Sequence, residues 1–289
     1  MGSGLIKIKR RIASIDSTRK ITNAMELVST VKLQRKKKDL QKTVDYTAML
    51  SEIILSCLKD MDEDQEDVCS LIGKSSCKPA RKNNLYVVIT SSLGLCGGYN
   101  LNIMKYLNES LTEDDGVMMI GTKGLSKYDK KDIPLDDSNI SFLDAFSFGN
   151  VKKLRGQIQE LFEKKEYNAV YLVYTHFKNA LTFIPDKLQL LPLSHLQAGK
   201  EDKGYPPIFY PNRKEVFSLL IPKYLDSILY EKITESMVCE QGSRRNAMEN
   251  ATDNADDLHD RLNLEYNKAR QTEITSQITE IVSGRLEDR

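Results

Sequence analysis

The chain has 289 residues, about two domains' worth at ~150 residues each. Its 42 Lys and Arg against 41 Asp and Glu leave a net charge of +1, and 40% of its residues are apolar, so no global field points to nucleic acid or to an acidic membrane surface. Five cysteines (57, 69, 77, 96, 239) form no C-x-x-C pair and three scattered histidines (176, 195, 259) offer them no partners, which argues against a zinc site or a disulfide framework and suits a reducing compartment.

The charge balance is local. Residues 1–45 carry twelve basic and four acidic side chains, so this arm is strongly cationic and the rest of the chain is anionic. The longest uncharged stretch, Asn83 to Met104, is too rich in Asn, Ser and Gly to span a bilayer, and no signal-peptide pattern is visible.

All eight prolines fall between Pro79 and Pro222, no glycine lies between Leu5 and Ile72, and only Gly242 and Gly284 follow Pro222. The helix breakers therefore divide the chain into three parts: 1–78, 79–211 and 212–289. In the first part Leu5, Ile8, Ile12 and Ile15 recur at coiled-coil spacing, and a second apolar set starts at Ile21, Met25 and Val28. The acidic run Asp60 to Asp67 reads as a helix end and solvated linker.

The middle part changes period. Leu85 to Thr90, Val117 to Ile120 and Ala169 to Tyr174 are short apolar runs that predict buried strands, and Thr182 to Leu191 predicts one more. Helical stretches lie between them, near Leu101 to Ser110, Leu125 to Lys130 and Val151 to Lys165. The alternation predicts a small Rossmann-like α/β domain with a largely parallel sheet, and Pro192 to Pro211 reads as a loop.

In the last part Met248, Ala251, Ala255, Leu258 and Leu262 form a stripe that Ile274, Ile278 and Ile281 continue. Alanines at seam positions permit close approach, so the two chain ends are expected to form one long antiparallel coiled coil. At a rise of ~1.5 Å per residue, helices over Leu5 to Lys59 and Lys223 to Gly284 would be about 80 and 90 Å long. Two bare helices of that length bury little surface and need an enclosing partner; an exposed coiled-coil stalk is the plainer alternative.

The motifs that suggest catalysis fail on spacing. Gly94, Gly97 and Gly98 follow G-x-x-G-G rather than G-x-G-x-x-G, and read as a structural turn. Gly116 to Lys123 resembles a phosphate-binding loop, but Thr122 and Lys123 stand in reversed order and an apolar strand fills the interval. Cys96 has no nearby histidine to activate it, and reads as a small buried residue. The run Arg35, Lys36, Lys37, Lys38 lacks interleaved aromatics, so a solvated face or a surface opposing an acidic protein is favoured over a nucleic-acid patch.

Three segments in order carry a resemblance. Ile8-Lys-Arg-Arg-Ile12-Ala-Ser-Ile-Asp-Ser17-Thr18-Arg-Lys20-Ile21-Thr22-Asn-Ala24-Met25, the turn Gly94-Leu95-Cys96-Gly97-Gly98, and Glu240-Gln241-x-x-Arg244-x-x-Ala247-Met248 with Tyr266-Asn267-Lys268-Ala269-Arg270-Gln271-x-x-Ile274-Thr275 resemble the gamma-subunit family of F-type ATP synthases. The resemblance implies a rotor shaft inside a ring of three alpha and three beta subunits. The shaft has no catalytic, cofactor or metal residues of its own; it couples beta-subunit ATP synthesis or hydrolysis to rotation and to proton or sodium translocation through a membrane c-ring. An epsilon-type subunit is a further implied partner; nucleic acid is not, and the membrane is touched only peripherally, at the cytoplasmic face of a bacterial membrane before an organellar one. Arg270, Gln271 and Thr275 match positions that meet a beta-subunit loop, Lys20, Met25 and Arg244 match positions near the beta lever region, and Arg35 and Lys36 face that region's acidic segment.

Two departures from the family pattern stand out. Ser92-Leu93 occupies the turn position where the family has an Asp followed by a basic residue, and Ile208-Phe209-Tyr210-Pro211 lacks the family's acid near the shaft's base. The competing readings are a nucleotide-binding α/β enzyme with a coiled-coil appendage, a nucleic-acid-binding stalk, and a rotor not attached to an ordinary membrane ring.

Overall fold

The computed structural model describes residues 3–58, 83–128, 135–136, 138–144, 146–164, 167–193, 208–210 and 212–287. The acidic run at 60 to 67 and most of the loop from 192 to 211 lie outside them. Two long helices, α1 (Ser3–Leu58) and α4 (Arg213–Glu287), flank an α/β segment. The chain divides into two compact units, one of Met1–Thr30 with Arg244–Arg289 and one of Val31–Ser243.

In the larger unit, strands β1 (Asn84–Ile89), β2 (Gly116–Ile120), β3 (Leu135–Asp136), β4 (Ala169–Phe177) and β5 (Phe183–Leu191) form one sheet in the order β3-β2-β1-β4-β5. Every pairing is parallel except β4 with β5, because only that hairpin connection is short enough to reverse the chain directly. The short strand β3 was not expected from the sequence, and the helix expected at Leu125 to Lys130 is a single 3-10 turn at Leu125–Lys127.

Helix α2 (Tyr99–Ser110) covers one face of the sheet, where Ile103, Met104 and Leu107 meet Tyr86, Val88, Met119 and Val173. Helix α3 (Phe148–Glu163), started by the Ser147 side chain accepting from the Asn150 amide, lies on the other. There Val151, Leu154 and Ile158 join Leu85, Val87, Val170 and Leu172, together with Ile54 from α1 and Phe217, Ile221 and Leu225 from α4. Alternate residues of β1 thus face opposite cores, the period-2 rule of a strand buried on both sides.

Helix α4 starts ten residues earlier than its proline suggested. Asn212 and Glu215 cap it reciprocally, the Glu215 amide donating to Asn212 Oδ1 (2.9 Å) and Asn212 Nδ2 to Glu215 Oε1 (2.7 Å). Pro222 is then absorbed inside the helix. An interior proline costs ~3 kcal/mol, and burial of Phe217, Ile221, Tyr224 and Leu225 around it offsets that at about 1.5–3 kcal/mol per large side chain.

In the smaller unit the two helical segments run antiparallel: Thr22 meets Thr252 at 2.8 Å, Arg19 meets Asp256 at 2.9 Å, and Asp16 meets His259 at 3.5 Å. The expected stripe holds at Met248, Ala255 and Leu262, and Leu5, Ile8, Ile12, Ile15 and Met25 are half-buried as the heptad spacing required, but part of the second apolar set on α1 is displaced. Thr22, Ser29, Met248, Ala255 and Leu262 are buried, while Ile21 and Val28 are 59% and 54% exposed, and Leu258, Ile274 and Ile278 are also exposed. One residue along a helix is a rotation of about 100°, so with Thr22 and Ser29 on the inner face their neighbours Ile21 and Val28 are turned outward.

Candidate partner-binding surfaces

In the smaller unit Lys20 is exposed, Met25 half-buried and Arg244 buried. Arg270, Gln271 and Thr275 are exposed, and the Thr275 hydroxyl donates to the Gln271 carbonyl one turn back at 2.9 Å. Gln271 and Thr275 therefore share one polar strip of the helix by the i, i+4 neighbour rule, and Arg270 widens it by about 100° to one side. Arg19 sits among acids, and its hydrogen bond and charge contact with Asp256 raise its pKa further.

In the larger unit Arg35 is exposed, and Lys36 lies 4.9 Å above the Phe146 ring, so part of the basic run is held by cation–π contact rather than being free in solvent. Phe146 stacks on Tyr230 and Lys152 lies over Phe148. Beside them is a shallow cavity of about 200 Å³ lined by Lys42, Thr43, Tyr46, Phe148, Ser227 and Tyr230. Among the described residues no cluster of His, Cys, Asp and Glu could hold a metal ion.

An open parallel sheet offers a ligand crevice where the strand order reverses, outside the carboxyl ends of the strands. Here that place lies between β1 and β4, and side chains of this chain fill it. The Tyr99 hydroxyl meets Ser236 Oγ at 2.8 Å, and the Cys239 thiol donates to the Thr175 carbonyl at 3.3 Å. Burial, with the Glu240 charge adding to it, pushes the Tyr99 phenol up, and burial beside Glu235 does the same to the Cys239 thiol. Both stay neutral at physiological pH, so the thiol is no nucleophile.

The glycine-rich turn closes this crevice. Leu95 and Gly97 take positive φ values of 59° and 56°, and Asn100 ties the turn together by accepting from the Ser91 amide and donating to Ser91 Oγ and Cys96 Sγ. Cys96 is buried, as its lack of an activating partner suggested. The residues sequence reasoning missed are the polar groups of α4 that face inward, Asp226, Glu231, Glu235, Ser236 and Glu240. Their spacing alone does not separate an inner polar face from a solvated one.

A family model described as ATP synthase matches residues 4–285. The chain is 38% identical over 293 residues to the ATP synthase gamma chain of Alkaliphilus metalliredigens and 35% identical over 282 residues to that of Mesoplasma florum, covering 98% of both chains in each case. Among solved structures it resembles a chain of the central stalk and c-ring of the Tetrahymena thermophila mitochondrial ATP synthase, at 25% identity and a TM-score of 0.56 over 80% of this chain and 99% of that one. It also shares the fold of a chain from the Euglena gracilis mitochondrial ATP synthase, at 19% identity and a TM-score of 0.67 over 98% of this chain and 94% of that one.

Fold and sequence relatives together define a non-catalytic shaft subunit of a rotary ATPase. The chain belongs to the ATP synthase gamma-chain family, and its place is the central stalk of the F-type complex. It is part of the peripheral portion of that complex, and none of its described helices is long and apolar enough to cross a membrane.

Proposed function

We propose that the smaller unit turns inside the alpha and beta ring, making different contacts with each beta subunit, and that Arg270, Gln271 and Thr275 are its hydrogen-bonding strip toward a beta-subunit loop. The observation that carries this reading is the apolar surface left outside the seam: Thr22 and Ser29 face inward beside Met248, Ala255 and Leu262, while Ile21, Leu27, Val28, Leu264, Ile274 and Ile278 are exposed. An isolated stalk would bury its large apolar residues in its own seam; a shaft enclosed by protein leaves them for the enclosure.

An asymmetric shaft gives otherwise equal sites unequal nucleotide affinities, and turning it exchanges those states. Lys20, Met25 and Arg244 would contribute near the beta lever region, with Arg35 and Lys36 toward an acidic segment. The proposed location is the cytoplasmic face of a bacterial membrane.

The test is to rebuild the complex with Arg270→Ala/Gln271→Ala. Loss of a charge-assisted pair costs about 1.5–3 kcal/mol where water is excluded, so subunit retention or coupled turnover falls while the helix signal of the chain is unchanged. Unaltered retention and turnover would show these two side chains to be solvated bystanders.

A further inference from the structure

We propose that Ser236, Glu235 and Cys239 of α4 form a register clamp on the end of β4, and that these positioning residues let the sheet pass rotational load to the helix without slipping. The proposal rests on the rotor reading above. Its starting point is a backbone vacancy: β1 pairs with β4 only as far as Val88 opposite Val173, so beyond that point the side of β4 that faced β1 has no strand partner. Thr175 and Phe177 lie two residues apart and point their backbone groups to the same side.

Helix α4 supplies the missing partners from its side chains. The Thr175 amide donates to Ser236 Oγ at 3.2 Å, the Cys239 thiol donates to the Thr175 carbonyl at 3.3 Å, and the Phe177 amide donates to Glu235 Oε1 at 3.1 Å. Glu235 is fixed in turn by His176 Nδ1 at 2.7 Å and by Lys232 Nζ at 3.1 Å. One turn beyond Cys239, the Ser243 hydroxyl donates to the Cys96 carbonyl of the glycine-rich turn at 2.8 Å.

Most of the remaining contact between α4 and the sheet is apolar, through Phe217, Ile221, Leu225, Leu229 and Ile233, with Lys232 lying 5.2 Å over the Tyr174 ring. Apolar burial is non-directional, and a helix held by it alone resists separation better than rotation about its own axis. Hydrogen bonds have preferred angles and distances of a few tenths of an ångström. A helix bonded to three consecutive backbone groups of a strand end therefore cannot turn or slide by a residue without breaking them. Load that enters the sheet reaches the helix through the clamp.

The experiment uses the whole complex rebuilt with Ser236→Ala/Ser243→Ala, with ATP hydrolysis and ATP-driven ion pumping measured on the same vesicles. Each bond removed raises the population of slipped registers roughly fivefold. The expected result is retained assembly and hydrolysis with less ion pumped per ATP, and restoration of that ratio by Ser236→Thr/Ser243→Thr, which returns the hydroxyls. Where the double variant does not assemble, Cys239→Ala, which deletes only the thiol that donates to the Thr175 carbonyl, takes its place with the same expectation. An unchanged ratio, a parallel fall of hydrolysis and pumping, or failure of the threonine variant to restore the ratio overturns the clamp. Failure of the unsubstituted chain to join the complex overturns instead the rotor reading on which it rests.

Discussion

Removing Arg155 is expected to cost far more than its half-exposed position suggests. Its Nε lies 2.7 Å from Asp226 Oδ1, its Nη1 2.7 Å from Gln159 Oε1, and the Asp226 side chain is 5% exposed against 22% for Arg155. Breaking a fully buried pair by deleting one partner costs about 3–5 kcal/mol, because an uncompensated charge is left behind. Partial access of water to Arg155 lowers this, so Arg155→Ala is expected at roughly 2–3 kcal/mol. Asp226→Ala leaves a cation that can swing to solvent, for about 1–1.5 kcal/mol. The double variant should cost little more than Asp226→Ala, giving a coupling of at least ~1 kcal/mol. Native-state hydrogen exchange of the β1 and β4 amides in the unassembled chain reads the opening free energy of the larger unit directly. Simple additivity of the two single variants, or a larger loss for Asp226→Ala than for Arg155→Ala, would refute the reasoning.

Further outcomes follow from the packing. Gly242→Ala places a methyl 2.6 Å from the Phe183 ring edge, an overpacking expected to cost about 1–3 kcal/mol, measurable as a lower midpoint in urea. Burial raises the Tyr86 and Tyr224 phenols to about 12; folded values above the unfolded one mean that the stability is whole below pH ~10 and falls as pH rises toward 12, measurable as a falling urea midpoint, and a midpoint that does not move between pH ~10 and ~12 would contradict this. Cys57, Cys96 and Cys239 are buried, and burial raises the thiols of Cys57 and Cys239, so iodoacetamide should alkylate these three only on unfolding; rapid labelling in the folded chain, read by peptide mapping, would contradict the packing.

The sequence made the architecture legible where its constraints are one-dimensional. The scarcity of proline and glycine in both arms and the strand-length apolar runs at Leu85, Val117 and Ala169 depend on local propensity and burial, and these hold in the structure. This part of the seam register was not legible, because Ile21-Thr22 and Val28-Ser29 each offer a large apolar and a small hydroxyl residue one step apart, and apolarity alone chooses the wrong one of each pair. Pro222 misled for a related reason: tertiary burial of Phe217 and Ile221 overrode a local penalty. The inward polar face of α4 was hidden because the groups it satisfies, the amides of Thr175 and Phe177, are vacated by the premature end of β1. The three motif segments carried the family; the exposed strip at Arg270, Gln271 and Thr275 came from resemblance alone, since nothing in its spacing distinguishes it from solvated charge.

The outward-turned Ile21, Val28, Ile274 and Ile278 also bear on the life of a copy that finds no complex. Such a copy displays exposed apolar side chains at separate levels of its helices, the kind of surface that chaperones bind and that proteases exploit once helices fray. Its lifetime would be governed by the supply of larger subunits rather than by its own folding free energy. Overproduced alone it is expected to precipitate or be cleared, so the exposed face acts as a stoichiometry sensor: the complex protects one shaft per ring and leaves every surplus shaft marked for removal.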